Sequence, residues 1–201
     1  MDVSATTAPA LLPILIAPDV RLKARARVVG PADEAQVRDL VPRLFATMYA
    51  APGIGLAAPQ VGVGLRVAVV DLQPGDIRAP LLLVNPEIVA ASKETATREE
   101  GCLSLPGHYA DITRPARVKV RFFDQEGARR EIEAEGLLGA CLQHEIDHLD
   151  GVLFVDHLSA LKRNMILRRL VKERRQQEGP PKDARPQSGR QKDGADARVR
   201  A

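Results

Sequence analysis

The chain predicts an α+β fold: antiparallel β-sheets around a central helix carrying a metal-binding His-Glu-x-x-His element, then a C-terminal helix and a disordered tail. Three observations carry this. From Leu137 to Leu149, apolar residues recur at helical spacing around His144, Glu145 and His148. The run Ala116 to Phe123 alternates, and the turn residues Asp124-Gln125-Glu126-Gly127 lead into a returning run at Ala128 to Ala134. The elements follow in blocks: one helix, a series of strands, then two helices.

Taken in order, Pro9 to Ala17 is a short apolar stretch, interrupted by Pro9, Pro13 and Pro18, and reads as a buried N-terminal segment. Pro31 suits the first turn of a helix reaching about Ala50. Val37, Leu40, Val41, Leu44, Phe45 and Met48 form its apolar stripe, with Pro42 inside as an expected kink. A glycine-rich loop, Gly53 to Gly62, follows. Strand-like runs come next at Leu65 to Leu72, Leu81 to Val84 and Ile88 to Ser92. In the hairpin, Val118, Val120 and Phe122 belong to one face, and Lys119, Arg121 and Phe123 to the other. The metal helix shows Leu137, Leu138, Cys141, Leu142, Ile146 and Leu149 as its stripe and Gly151 as its stop. Val152 to Val155 is an apolar link. Leu158 to about Gln176 is amphipathic, with Leu158, Leu161, Met165, Leu170 and Val171 expected on the inner side. The expected division is a catalytic unit at 1–178 and a basic disordered tail at 179–201, too polar to bury a core.

Composition bounds the function. With 45% hydrophobic residues and no Trp, the chain supports one globular core built mainly from Leu, Val, Ile and Ala. Two cysteines make no disulfide framework; a Cys102–Cys141 bridge is the bland alternative to metal ligation by Cys102. No run is long enough to span a membrane, and the apolar N-terminal stretch lacks a basic leader, so the expected compartment is the cytoplasm. From Leu158 onward, 13 Lys and Arg against 5 Asp and Glu leave a net +8, while the rest of the chain carries −5. That asymmetry suggests an anionic partner, RNA first, against the plainer reading of a solvated tail.

The chemistry starts from His144 and His148. Four residues apart on a helix, they point the same way and can hold one metal ion, with Glu145 beside them as base for a metal-bound water. A catalytic site of this kind needs a third ligand. Asp150, Asp156 and His157 follow at unfamiliar spacings, while Cys102 upstream offers a soft thiolate. Gly-Ile-Gly-Leu-Ala-Ala-Pro-Gln at 53–60, Glu-Gly-Cys-Leu-Ser at 100–104 and Gln-His-Glu-Ile-Asp-His-Leu-Asp-Gly at 143–151 occur in that order, and together they resemble the peptide deformylase family. The resemblance runs from about Leu12 to about Leu170.

The resemblance implies removal of the formyl group from the N-terminal formyl-methionine of new proteins, with release of formate. It implies Cys102, His144 and His148 as metal ligands, and ferrous iron as the metal, with zinc, nickel or cobalt able to substitute. Glu145 is the implied base, and the Gln60 amide with the Leu103 backbone N–H the implied oxyanion donors. Ile54, Leu137, Ala140 and Cys141 would surround the methionine side chain; Gly55 and Gly101 would meet the substrate backbone, and Glu100 would shape the pocket rim. Arg98 stands where some relatives carry an aliphatic residue, and Ala140 is smaller than its counterpart in some. Ser104 is unneeded as a nucleophile, and His108 and His157 are expected to pack or face solvent. Expected partners are formyl-methionyl nascent peptides and, through the basic C-terminal helix, the ribosome near its exit tunnel; the expected state is a monomer. Two other classes compete. A zinc endopeptidase would cut internal amides with or without a formyl group. A non-catalytic metal- or RNA-binding module would tolerate loss of Glu145.

Overall fold

The computed structural model describes residues 9–178, so the expected tail at 179–201 lies outside the described residues. In chain order the elements are α1 (Glu34–Ala50), β1 (Gly55–Ala57), β2 (Val67–Val70), β3 (Leu81–Ala91), β4 (Thr95–Gly101), β5 (Tyr109–Pro115), β6 (Arg117–Phe123), β7 (Arg129–Glu135), α2 (Gly136–Leu149) and α3 (Ala160–Glu178). Five strands form one antiparallel sheet in the order β1-β2-β3-β6-β7, and β4 and β5 form a separate hairpin. The fold is therefore α+β with antiparallel sheets, as the sequence predicts.

The sheet lies between α1 and α2. Ala68 and Val70 of β2 pack with Leu142, Ile146 and Leu149 of α2, while Val67 and Val69 pack with Leu40, Leu44 and Met48 of α1. Burial on both faces explains why β2 reads as an unbroken apolar run. The alternation in β6 holds: Val118, Val120 and Phe122 are buried against α2. A third cluster joins Leu22, Leu105, Ile112, Phe154 and Leu170 beneath the hairpin. The N-terminal segment is tied to two site loops by Leu15 N–H to the Gln60 carbonyl (2.7 Å) and Ala17 N–H to the Ser104 carbonyl (2.9 Å).

Several expectations need correction. The runs at 81–84 and 88–92 are one strand, β3, whose pairing with β6 shifts register between Val84 and Glu87. Asn85 there has φ 51° and bonds Val29 through both side-chain amide atoms, so the Asn-Pro pair sits in a bulge rather than a turn. Strands β1, β4 and β5 escaped the sequence reading. Pro42 does lie inside helix α1 as expected. On α3, Leu161 and Met165 are 72% and 63% exposed; Leu158 and Leu170 do face inward as expected, joined by Ile166 and Leu167. Both cysteines are free.

Candidate metal centre

Helix α2 ends where predicted: Gly151 has φ 75°, and a Cβ there would lie 2.5 Å from the Lys23 carbonyl oxygen. The N-terminal segment can thus pass close by and cap the helix through Ala26 N–H to the Leu149 carbonyl (2.8 Å). One turn apart on this helix, the rings of His144 and His148 meet edge to face with centroids 4.8 Å apart. Cys102 follows directly on β4, and its Sγ lies 3.2 Å from His148 Nε2. One ligand atom from each of Cys102, His144 and His148 falls within 4.8 Å of the others. A sulfur and two imidazole nitrogens converging in this way suit a divalent transition metal. Burial and the nearby His144 push His148 well below its ordinary value, whereas at His144 burial is outweighed by hydrogen bonds to Cys102 and Glu100, which push that ring well above it.

Glu145 lies beside this cluster, 3% exposed, and its Oε2 is buried without a hydrogen-bond partner. Burial pushes its carboxyl up to about 7, against the pull of His144. The helix alone does not leave it room. A Cβ on Gly55 would stand 2.2 Å from Glu145 Oε1, so glycine in β1 is what admits the carboxylate. Gln60 is 2% exposed and fixed at both ends. Its Oε1 accepts from Ala57 N–H (2.8 Å), which turns Nε2 toward Ser104 Oγ (3.2 Å) and Cys102 Sγ (3.5 Å). Ser104 is fully buried as the acceptor of that amide.

A cavity of about 690 Å³ opens over these groups. Ile54, Leu137, Ala140 and Cys141 line its apolar side; Gly55, Gly101 and Leu103 lie along it with Gln60, Glu145 and His144. His148 is absent from the lining and almost wholly buried. The Cys141 thiol is driven well up by burial and stays protonated as part of the wall. The Tyr109 ring covers Gly101, where a Cβ would meet it at 2.5 Å.

Glu100 borders the cavity, but its carboxylate is turned inward rather than toward the rim. It lies 2.9 Å from His144 Nδ1 and accepts two bonds from Arg114, at 2.6 and 3.0 Å. Burial works to raise its pKa, but the His144 and Arg114 hydrogen bonds outweigh it and hold the carboxyl down at about 2. Arg114, 6% exposed, also donates to Asp147 (2.7 Å), which contacts His157 Nε2 (2.7 Å). The sequence reading missed Arg114 and Asp147. The available signal was the inward alternation Ala110, Ile112, Arg114, which puts an arginine at a core-facing position. His108 packs under the hairpin turn and His157 is exposed, so neither joins the cluster.

The family profile described as Polypeptide deformylase matches residues 11–164. A peptide deformylase of Methylocella silvestris is 49% identical over 191 residues, covering 92% of this chain and 97% of its own length. One from Brucella suis is 50% identical over 161 residues, covering 80% and 91%. Among solved structures, a peptide deformylase from Legionella pneumophila superposes with a TM-score of 0.78 at 48% identity, over 86% of this chain and 100% of that one. The peptide deformylase of Ehrlichia chaffeensis in complex with actinonin also gives 0.78, at 41% identity over 83% and 99%.

Proposed function

The chain belongs to the peptide deformylase family, and from that premise we propose that it hydrolyses the formyl amide of N-terminal formyl-methionine on new proteins, releasing formate and a free amine. The observation that carries this reading is Glu145 Oε2, buried and unpaired beside three converging soft and borderline ligands. Cys102, His144 and His148 would hold one divalent metal ion, which supplies Lewis acidity for the attacking water and the formyl carbonyl. We assign ferrous iron from the family resemblance; the donor set also suits zinc, nickel or cobalt.

Glu145 takes a proton from water as the oxygen attacks the formyl carbon. Its raised pKa, near 7, matches a group that must accept and then return a proton at neutral pH. The same carboxyl gives that proton to the departing nitrogen when the C–N bond breaks. Gln60 Nε2–H, held by Ala57, faces the charge gathering on the former carbonyl oxygen, with the Leu103 backbone N–H as second donor. Donors placed this way contribute about 3 kcal/mol each. Glu100 orients His144 through Nδ1 and leaves Nε2 for the metal. The methionine side chain lies against Ile54, Leu137, Ala140 and Cys141, and the peptide backbone passes Gly55 and Gly101.

We assign this chemistry to a unit at 1–178, acting as a monomer in the cytoplasm. No helix among the described residues is long and apolar enough to cross a membrane. The exposed cations of α3, among them Lys162, Arg168, Lys172 and Arg175, support docking on ribosomal RNA near the exit tunnel. The deciding experiment compares formyl-Met peptides with their unformylated forms. Formate release from the first, with the second left intact, is expected. Cleavage of internal amides in both would make the protein an endopeptidase instead.

A further inference from the structure

Arg98 stands on β4 two residues before Glu100, on the same face of the strand. It is exposed and lines the cavity beside Leu137 and Ala140. A Cβ on Gly136 would lie 3.7 Å from its Nη2, so the side chain reaches across the start of α2. Arg98, Gly136 and Ala140 also border a second, small hollow behind the strand. Arg98 therefore borders the cavity beside Ala140, with its guanidinium over the start of α2. Among the described residues no carboxylate forms an ion pair with Arg98. Glu100, on the same face, is already held by Arg114 and His144.

We propose that Arg98 makes the enzyme favour formyl-methionyl chains with an acidic side chain at residue 3. The inference rests on the deformylase reading above. In an extended substrate, side chains 1 and 3 point to the same side, about 7 Å apart. With the methionine in the apolar pocket, side chain 3 points toward the same side of the cavity, within reach of the long side chain of Arg98 that borders it. A carboxylate there gains a charge-assisted hydrogen bond, and a lysine meets a like charge. Residue 2 points the other way. Glu99, which borders the cavity from the opposite face of β4, gives no such advantage to an acid at that position.

The test uses C-terminally amidated peptides, so that no terminal carboxylate mimics the acid. Formate release is measured for formyl-Met-Ala-Glu, formyl-Met-Ala-Ala, formyl-Met-Ala-Lys and formyl-Met-Glu-Ala. The expected kcat/KM ratio of Glu to Ala at residue 3 is about three- to fivefold at low salt, the scale of a partly exposed ion pair. Added salt should shrink it. In Arg98→Met the ratio should fall to about one, and Arg98→Glu should favour lysine instead. Equal rates for Glu and Ala at residue 3 in the natural protein, or a ratio untouched in Arg98→Met, would overturn the assignment while leaving the deformylase reading intact. An equal gain from the acid at residue 2 would overturn the assignment of position. No formate from any peptide would overturn the deformylase reading and this inference together.

Discussion

Three residues bear most of the chemical argument, and each answers to a different measurement. Glu145→Ala should retain metal yet lose at least about a hundredfold in kcat, the scale expected of a general base; near-normal turnover would remove Glu145 from the mechanism. Gly55→Ala places a methyl group 2.2 Å from Glu145 Oε1. It should displace the carboxylate and lower kcat roughly tenfold or more with metal content unchanged; unaffected kcat would mean that Glu145 has room to move. Arg114 is buried between two carboxylates. Arg114→Met leaves Glu100 buried and poorly compensated, so chemical denaturation should show a loss of roughly 3 kcal/mol or more; unchanged stability would make the pair dispensable. The sequence exposed this site unevenly. His144, Glu145 and His148 are legible because helical periodicity alone puts them together, and Cys102 and Gln60 are legible through the motifs they sit in. Arg114 is not, because its partners come from a different strand and a helix that only folding brings near.

At the level of elements, patterns with one buried face could be read directly. Helix α1 and strand β6 keep apolar residues on one side and present their polar ones outward. The hairpin β4–β5 could not, because its inward positions carry Glu100 and Arg114, which neutralise each other and hide the strand period under charge. Strand β3 reads as two runs because Asn85-Pro86-Glu87 interrupts its apolar residues, an interruption that the register shift absorbs. Helix α3 misled in the opposite way: Leu161 and Met165 face out, in line with Arg168, Lys172 and Arg175. Its inner side seals the cluster around Leu105 and Phe154 through Leu170, and Glu173 lies 3.7 Å from the buried His108 of the pocket turn. Removing α3 would therefore damage the core, and charge reversal is the cleaner probe of docking. Lys162, Arg168, Lys172 and Arg175 changed together to Glu should leave hydrolysis of short formyl peptides intact and abolish co-sedimentation with ribosomes at low salt. Co-sedimentation equal to that of the natural protein would leave α3 with only its structural role.

Across the whole molecule, the site exists because α2 is enclosed. The sheet and α1 lie on one side of it, the hairpin on another, and the N-terminal segment closes over its end. Thiolate, amide, and the imidazoles with their neighbouring carboxylate thus arrive from three segments that are far apart in sequence. A ligand that binds only the assembled site stabilises the fold in proportion to its affinity, so chelation should lower the thermal midpoint as well as activity. The most direct test of the account is metal content measured together with formate release, on protein purified without oxygen. The account predicts one metal per chain, formate release from formyl-Met-Ala-Ala that disappears on chelation and returns with ferrous iron, and an Glu145→Ala variant that keeps its metal but releases almost no formate. Undiminished formate release from metal-free protein would contradict it.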